Sequence, residues 1–337
     1  MRVFVTGGTG MIGRHLVAKL KDRGDQPVIL TRRSDEARRD PDWRGLTVIP
    51  GDPGQAGPWQ REVDGCDAVV NLAGQPVFGG RWDAGRKAQI RDSRVHAADH
   101  IVEALARASS RPSAFIQGSA IGYYGMAPGD DPSTEESPSG TDFLAVVCRE
   151  LEDAARPAEA LGVRLATIRT GIVLEKGQGS LKVMTPIFRW LPGGAAPVGG
   201  GEGGLLGLGK GQQWMSWIHI EDIVGLFLLA LDGPEVLGPI NGTAPNPVRN
   251  VDFSKALAKA LHRPFLKYGP PDAALRLLFG EVADVIVKGR KVVPARAGSL
   301  GYRFRFPELA GALDDIFARR KPGRTATPRP AVAGAGH

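Results

Sequence analysis

The sequence predicts an α/β protein built on a doubly wound parallel sheet, followed by a smaller C-terminal α+β lobe. Three observations predict it. Strand-like apolar runs alternate with helical patterns through the first half of the chain, as in consecutive βαβ units. The apolar residues of those runs are nearly continuous and do not alternate with polar ones, as expected of strands covered on both faces. A turn with three spaced glycines joins the first strand to the first helix.

Taken in order, the expected strands are Arg2–Thr6, Pro27–Thr31, Leu46–Ile49, Ala68–Leu72, Ala114–Gly118 and Val163–Arg169. Apolar residues recurring every three to four positions predict helices over Ile12–Arg23, about Ala84–Arg107, and Phe143–Leu161. Beyond about Thr170 the regularity breaks. Glycine and proline crowd Pro192–Gly211, which reads as a mobile loop, and helical patterns return at Ile220–Leu231, Val251–Leu261 and Asp272–Lys288. The expected division is a dinucleotide-type domain over 1–170, with its sheet completed by segments near 217–243. A substrate lobe over 171–318 and a basic, disordered tail over 319–337 follow.

The chain has 337 residues, 42% hydrophobic and 23% charged, which suits a folded globular protein. Two cysteines, Cys66 and Cys148, give no disulfide framework and fit a reducing, cytoplasmic setting. The first residues run directly into a strand, so no signal peptide is expected. The longest apolar stretch, Ile223–Leu231, is far short of the roughly 18–20 residues of a membrane span. The net charge of +7 would suit a nucleic-acid binder, but the basic residues are spread out except at Arg319, Arg320, Lys321 and Arg324. A phosphate-bearing small ligand with a solvated basic tail explains the charge without nucleic acid or membrane.

Gly7-Gly8-Thr9-Gly10-Met11-Ile12-Gly13 carries the strongest signal. Glycines at 7, 10 and 13 permit a tight turn, a close approach to a pyrophosphate and close helix–strand packing. The helix then offers free N–H groups and the positive end of its dipole to the phosphates. The sheet is therefore expected to be Rossmann-type and to bind a nicotinamide dinucleotide. The second strand ends at Thr31-Arg32-Arg33, without the acid that commonly bonds the adenosine ribose of NAD, and an arginine there receives a 2′-phosphate. NADP (as NADPH) is thus favoured over NAD. Asp52 is expected beside the adenine. Leu72, Ala73 and Gly74, after Asn71, are expected where backbone approaches cofactor.

Together with these segments, Gly-Ser-Ala-Ile-Gly-Tyr-Tyr-Gly at 118–125 and Trp-Ile-His-Ile-Glu-Asp at 217–222 resemble the extended, epimerase-like branch of the short-chain dehydrogenase/reductases. Val-Val-Pro-Ala-Arg at 292–296 and Gly-Tyr-Arg-Phe-Arg-Phe-Pro at 301–307 are similar to an atypical epimerase group with a DUF1731-type C-terminus. The resemblance covers about residues 1–318.

The resemblance implies a working set of Asn, Ser and Tyr-x-x-x-Lys, in which the phenol passes a proton while the nearby ammonium lowers its pKa. Here Ser119 takes the Ser position and Arg94 that of the Asn, whereas Leu144 and Cys148 stand at the Tyr and Lys slots. Leucine transfers no proton and a thiol supplies no fixed positive charge, which argues against the standard route. Tyr123 and Tyr124, near Arg94 or Arg169, are the substitute proton donors to consider, against lining or packing roles. Cys148 is either a thiolate stabilised by Arg94 or a small core residue.

His96 and His100 have a metal-compatible spacing but no evident third ligand, so no metal is expected. His219, with Glu221 and Asp222, reads as the cap of the helix beginning near Ile220. Arg81, Trp82, Arg169 and Gln213-Trp214-Met215-Ser216-Trp217 are candidate substrate contacts. The leading expectation is an NADP-dependent oxidoreductase or epimerase on a small polar substrate, with Ser119 orienting the substrate oxygen and Arg94 polarising it. The competing one is a catalytically degenerate NADP-binding sensor or scaffold. A homodimer is compatible with either.

Overall fold

The computed structural model describes residues 1–318 apart from 79, 127–128, 191–195, 198–207 and 267. The expected basic tail at 319–337 and most of the expected mobile loop at 192–211 lie outside the described residues.

Strands β1 (Arg2–Thr6), β2 (Gln26–Thr31), β3 (Thr47–Pro50), β4 (Ala68–Asn71), β5 (Ala114–Ala120) and β6 (Arg164–Thr170) match the six expected runs to within two residues at each end. The later part of the chain adds β7 (Ile172–Leu174), β8 (Leu208–Gly209), β9 (Trp214–Met215), β10 (Trp217–His219), β11 (Gly238–Gly242), β12 (Val248–Arg249) and β13 (Gly269–Pro271). Seven strands form one sheet in the order β11-β6-β5-β4-β1-β2-β3, and every neighbouring pair is parallel. The strand order reverses beside β1, and this puts the ends of β1 and β4 at the switch point where doubly wound sheets take their ligands.

The helices are α1 (Met11–Asp22), α2 (Ser34–Arg39), α3 (Ala84–Arg107), α4 (Phe143–Ala155), α5 (Pro157–Ala160) and α6 (Gly179–Trp190). They continue with α7 (Ile220–Asp232), α8 (Asn250–Ala260), α9 (Asp272–Phe279), α10 (Val282–Val287), α11 (Ala295–Ser299) and α12 (Leu309–Phe317). Two expected helices are broken in two. Pro157 lacks the N–H that would continue α4 and instead opens α5, and Gly280, at φ 62, turns the chain between α9 and α10.

Both faces of the sheet are covered, which is why its strands show no alternation. Val3, Val5, Ile29, Val70, Ile116, Ile168 and Ile240 pack with α1 and α7 on one side. Phe4, Val28, Leu30, Val69, Phe115 and Leu165 pack with α3, α4 and α5 on the other. A third core, around Trp217, Phe253, Leu257, Leu309 and Leu313, joins α8 and α12 over β10. Burial of each such large side chain stabilises the fold by about 1.5–3 kcal/mol.

His219 caps α7 as expected: its Nδ1 accepts the Glu221 N–H at 3.2 Å. Asp222 does something else. Only 1% exposed, it accepts the backbone N–H groups of Arg305 (2.7 Å) and Phe306 (2.9 Å), and the Tyr302 hydroxyl donates to it at 3.3 Å. One buried carboxylate thus pins the C-terminal segment to α7. Asp222→Ala leaves two amides unpaired, and the expected loss is about 3 kcal/mol in urea unfolding. A loss below about 1 kcal/mol would mean that packing alone docks the segment.

Candidate functional site

The turn after β1 is held in a shape that only glycine allows. Gly7 sits at φ +67, where a Cβ would lie 2.5 Å from the Leu72 carbonyl carbon; at Gly13 a Cβ would lie 2.3 Å from the Gly7 oxygen. The end of β4 and the start of α1 are therefore in backbone contact with the turn. Gly10 is the extended N-cap residue of α1, its amide donates to Gly7 O at 2.9 Å, and it is exposed. No side chain caps the helix and no acid stands in its first turn, so its leading N–H groups are left for an anion. Thr9, Met11 and Ile12 are half-buried around this turn, with Met11 reaching toward Gly179 at the start of α6. These features fit a dinucleotide pyrophosphate.

At the end of β2, Thr31 is buried and its hydroxyl accepts the Arg33 N–H at 3.2 Å. The side chains of Arg32 and Arg33 are 62% and 66% exposed. Arg32 is only loosely matched with Asp52, at 3.8 Å, and Arg33 with Glu36, at 3.4 Å. Such exposed pairs contribute little and leave the guanidiniums available. Asp52 itself is partly committed, accepting the Gly54 N–H at 3.0 Å.

A buried polar chain ties the carboxyl ends of the central strands together. The Thr6 hydroxyl donates to Asn71 Oδ1, Asn71 Nδ2 donates to Gln117 Oε1 at 3.0 Å, and Gln117 Nε2 donates to Gly118 O at 2.7 Å. Asn71 Oδ1 also accepts the Ala73 N–H at 3.2 Å and so shapes the Leu72-Ala73-Gly74 exit. Thr6 and Gln117 were not singled out in the sequence, although polar residues inside otherwise apolar, doubly covered strands are a readable sign of such a chain.

Ser119 and the residues around Arg169 form a second network, of unexpected composition. The Ser119 hydroxyl donates to Glu152 Oε1 at 2.8 Å. Arg169 grips the same carboxylate with two bonds, Nε to Oε1 at 3.0 Å and Nη2 to Oε2 at 2.8 Å. Its Nη1 donates to the Tyr124 hydroxyl at 3.0 Å, and that hydroxyl donates to Asn241 Oδ1 at 2.7 Å. The Arg169 guanidinium lies 3.4 Å from the Tyr123 ring centroid. Glu152, with its bidentate acceptor geometry, was missed as a site residue. It stands one turn after Cys148 on the sheet-facing side of α4, and a carboxylate there needs a buried partner.

Several expectations are corrected by this geometry. Arg169 is 3% exposed and is no substrate contact; it is the counterion of Glu152. Tyr124 is 1% exposed and burial pushes its phenol up to about 12, so it is no accessible proton donor. Tyr123, half-buried, keeps that candidacy. Cys148 is buried, and burial together with the nearby Glu152 pushes its thiol up to about 11, which removes the stabilised-thiolate reading. Ser119 has its hydroxyl turned toward α4, and the next residue, exposed on the opposite side of β5, is Ala120.

The Gln213–Trp217 segment is mostly core. Trp217 is fully buried with Nε1 donating to Asn246 O at 3.1 Å, and Ser216 bonds Arg290 O and the Val292 N–H. Trp214 is half-buried, with Arg249 at 4.0 Å and Lys291 at 4.9 Å from its ring centroid. Trp82 is buried, bonded to Val77 O, while exposed Arg81 donates to Leu277 O and clasps α9. His100 Nδ1 lies 3.1 Å from Pro53 O, and no metal-sized group of His, Cys, Asp or Glu occurs among the described residues.

Leu144 packs with Val77, Trp82, Ile90, Phe143, Val282 and Val285 in a small apolar cluster that joins α3, α4 and α10. Arg94 on α3 lies flat against Gly74, where a Cβ would be 3.0 Å from its Cζ. The site therefore has a glycine cradle at one end and an arginine beside an apolar wall at the other.

Residues 3–241 match the NAD dependent epimerase/dehydratase family, and residues 270–316 match a domain of unknown function, DUF1731. The chain belongs to the NAD-dependent epimerase/dehydratase family. The resemblance read from the motifs, to its atypical branch with a DUF1731 C-terminus, is borne out. An Arabidopsis thaliana relative, the chloroplastic "Epimerase family protein SDR39U1 homolog", is 40% identical over 94% of this chain and 86% of its own. The crystal structure of human epimerase family protein SDR39U1 (isoform 2) with NADPH is 31% identical. It superposes with a TM-score of 0.79 over 95% of this chain and all of that one. A nucleoside-diphosphate sugar epimerase structure from Corynebacterium glutamicum is 30% identical, with a TM-score of 0.70 over 94% of this chain and 58% of that one.

The plastid relative shows that membership in the family does not carry the expected cytoplasmic setting with it. No described helix is long and apolar enough to cross a membrane.

Both cysteines are buried, and burial pushes both thiols up to about 11. Below that pH each stays protonated in the folded chain, so a disulfide reagent at pH 8 should titrate neither Cys66 nor Cys148 until denaturant is added. Rapid labelling of Cys148 in the native protein would restore it as a reactive group.

Proposed function

We propose that this family member binds NADPH in the cradle between the β1 turn, the end of β2 and the end of β4, and acts on a small polar substrate as an oxidoreductase or epimerase without a Tyr-x-x-x-Lys pair. The observation that carries the cofactor reading is the pairing of an uncapped, acid-free α1 N-terminus with exposed arginines, and no acid, at the end of β2. The NADPH in the human relative's structure supports it.

Gly7, Thr9, Gly10, Met11, Ile12 and Gly13 would hold the pyrophosphate. Arg32 and Arg33 would take the 2′-phosphate, with Thr31 shaping that turn and Asp52 beside the adenine. Leu72, Ala73 and Gly74 would line the nicotinamide half. When bound, NADPH supplies the hydride. Arg94 would hold a substrate oxygen, and Tyr123 is the remaining phenol able to deliver a proton. Ser119 acts through Glu152: its hydroxyl locks the carboxylate that Arg169 grips, which fixes the end of β5 against α4. NAD remains the weaker alternative.

Arg32→Glu tests the cofactor choice. Loss of one charge-assisted phosphate contact should weaken NADPH about 10- to 100-fold in calorimetry while NADH changes far less. Equal losses for both would remove the 2′-phosphate role.

A second reading, a cofactor-binding sensor without turnover, is favoured by Leu144 at the Tyr slot and by the sequestration of Tyr124 and Cys148. NADPH absorbance separates the two. Oxidation across a panel of carbonyl, enone and sugar-nucleotide compounds supports the enzyme, and tight binding with no oxidation across that panel supports the sensor.

A further inference from the structure

The described side chains around Gly74 contain one conspicuous electrostatic imbalance. Arg94 projects from α3 against Gly74, half-buried, and among the described residues its hydrogen bond is from Nη1 to the Ile90 carbonyl of its own helix, at 2.8 Å. No carboxylate pairs with it among the described residues. The carboxylates on nearby segments are spoken for: Glu152 by Arg169 and Ser119, Asp92 and Glu150 by Arg91. The charged and titratable neighbours that Arg94 senses are Cys148, a buried neutral thiol, and a second cation, Arg86.

Arg86 lies two turns earlier on α3, with its Nη2 on Pro76 O, its Nη1 on Gln89 Oε1 at 3.4 Å and its buried Nε without a partner among the described residues. The segment 74–77 thus passes two guanidiniums that between them lack an anion. Burial lowers the Arg94 pKa, the direction expected of an uncompensated cation. A cation held partly out of water without a partner is destabilised, and a ligand that brings the missing charge offsets that cost.

What lies next to the charge is apolar. Ile90, whose carbonyl Arg94 bonds, belongs to the cluster of Val77, Trp82, Phe143, Leu144, Val282 and Val285. Where a Tyr and a Lys would give a polar wall, this chain has leucine and a neutral thiol. The position along the sheet separates this charge from the cofactor's phosphates. The α1 N-terminus follows β1, whereas Arg94 lies past the end of β4, toward Cys148 and the Ser119 end of β5.

We infer that Arg94, with Arg86 behind it, is a carboxylate-recognition site, and that the substrate is an organic acid with an apolar body lying on the Leu144–Phe143–Val77 wall. This rests on the proposed placement of NADPH for the identity of the neighbouring ligand, but the acid preference is testable without it.

The test is calorimetric titration of the full chain, alone and saturated with NADPH, with cinnamate and hexanoate and with their amides. Each acid should bind at least about tenfold more tightly than its amide. Arg94→Gln should abolish that preference by weakening the acids and not the amides, Arg94→Lys should retain part of it, and Arg86→Gln should reduce it less. Equal affinity of acids and amides for the wild-type chain, or no binding of any of the four at millimolar concentration, overturns the inference. So does an Arg94→Gln variant that keeps the acid preference, or one in which NADPH affinity falls by the same factor, since the anion would then be the cofactor's own. Failure of the wild-type chain to bind NADPH overturns the cofactor reading instead, and leaves the acid–amide comparison on the chain alone to decide this one.

Discussion

The whole site depends on a backbone approach that no side chain would survive. Gly7 presses against the Leu72 carbonyl, and Gly13 against the Gly7 carbonyl, closer than a Cβ permits. That contact brings the end of β4 to the start of α1. It leaves the first N–H groups of a twelve-residue helix without a side-chain cap among the described residues. The uncapped start of α1 and the position of Ala73 and Gly74 follow from it. So does the location of Arg94, which occupies the volume that Gly74 leaves empty.

On this frame two kinds of buried charge have opposite consequences. Arg169 and Glu152 satisfy each other with two good bonds, and the Ser119 and Tyr124 hydroxyls join them, so this pair is structural and its residues are not offered to a ligand. Arg94 and Arg86 are not so satisfied. A closed network rigidifies the end of β5; an open one marks where an outside anion completes the balance. Leu144 lies in an apolar cluster and Cys148 is a buried thiol, so the wall beside Arg94 offers apolar contact, with the cation on α3.

The fold was legible because its signals are local or periodic. Continuous apolar strands, α1 with its buried Leu16, Val17 and Leu20, and the glycine spacing each reflect a constraint acting within a few residues. The broken helices were less legible, since Pro157 and Gly280 are each tolerated in many contexts and the chain's path decides between a kink and a stop. The tight turn that opens α1 was readable for the same local reason. The interior of the substrate site was not. Ser119, Tyr124, Arg169 and Trp217 all carry polar groups suited to a ligand, and the sequence offers no sign that these groups bond one another or the core.

By itself, then, the sequence determined the parallel sheet, its family and the glycine turn that opens α1, because backbone geometry and hydrophobic period are properties of short segments. Only the tertiary structure decided which charges are spent and which are free. That depends on partners 17 residues apart for Glu152 and Arg169, 33 for Ser119 and Glu152, and 117 for Tyr124 and Asn241. Pairing at such separations is set by how strands and helices pack, and a side chain's availability to a ligand is what remains after that packing is complete.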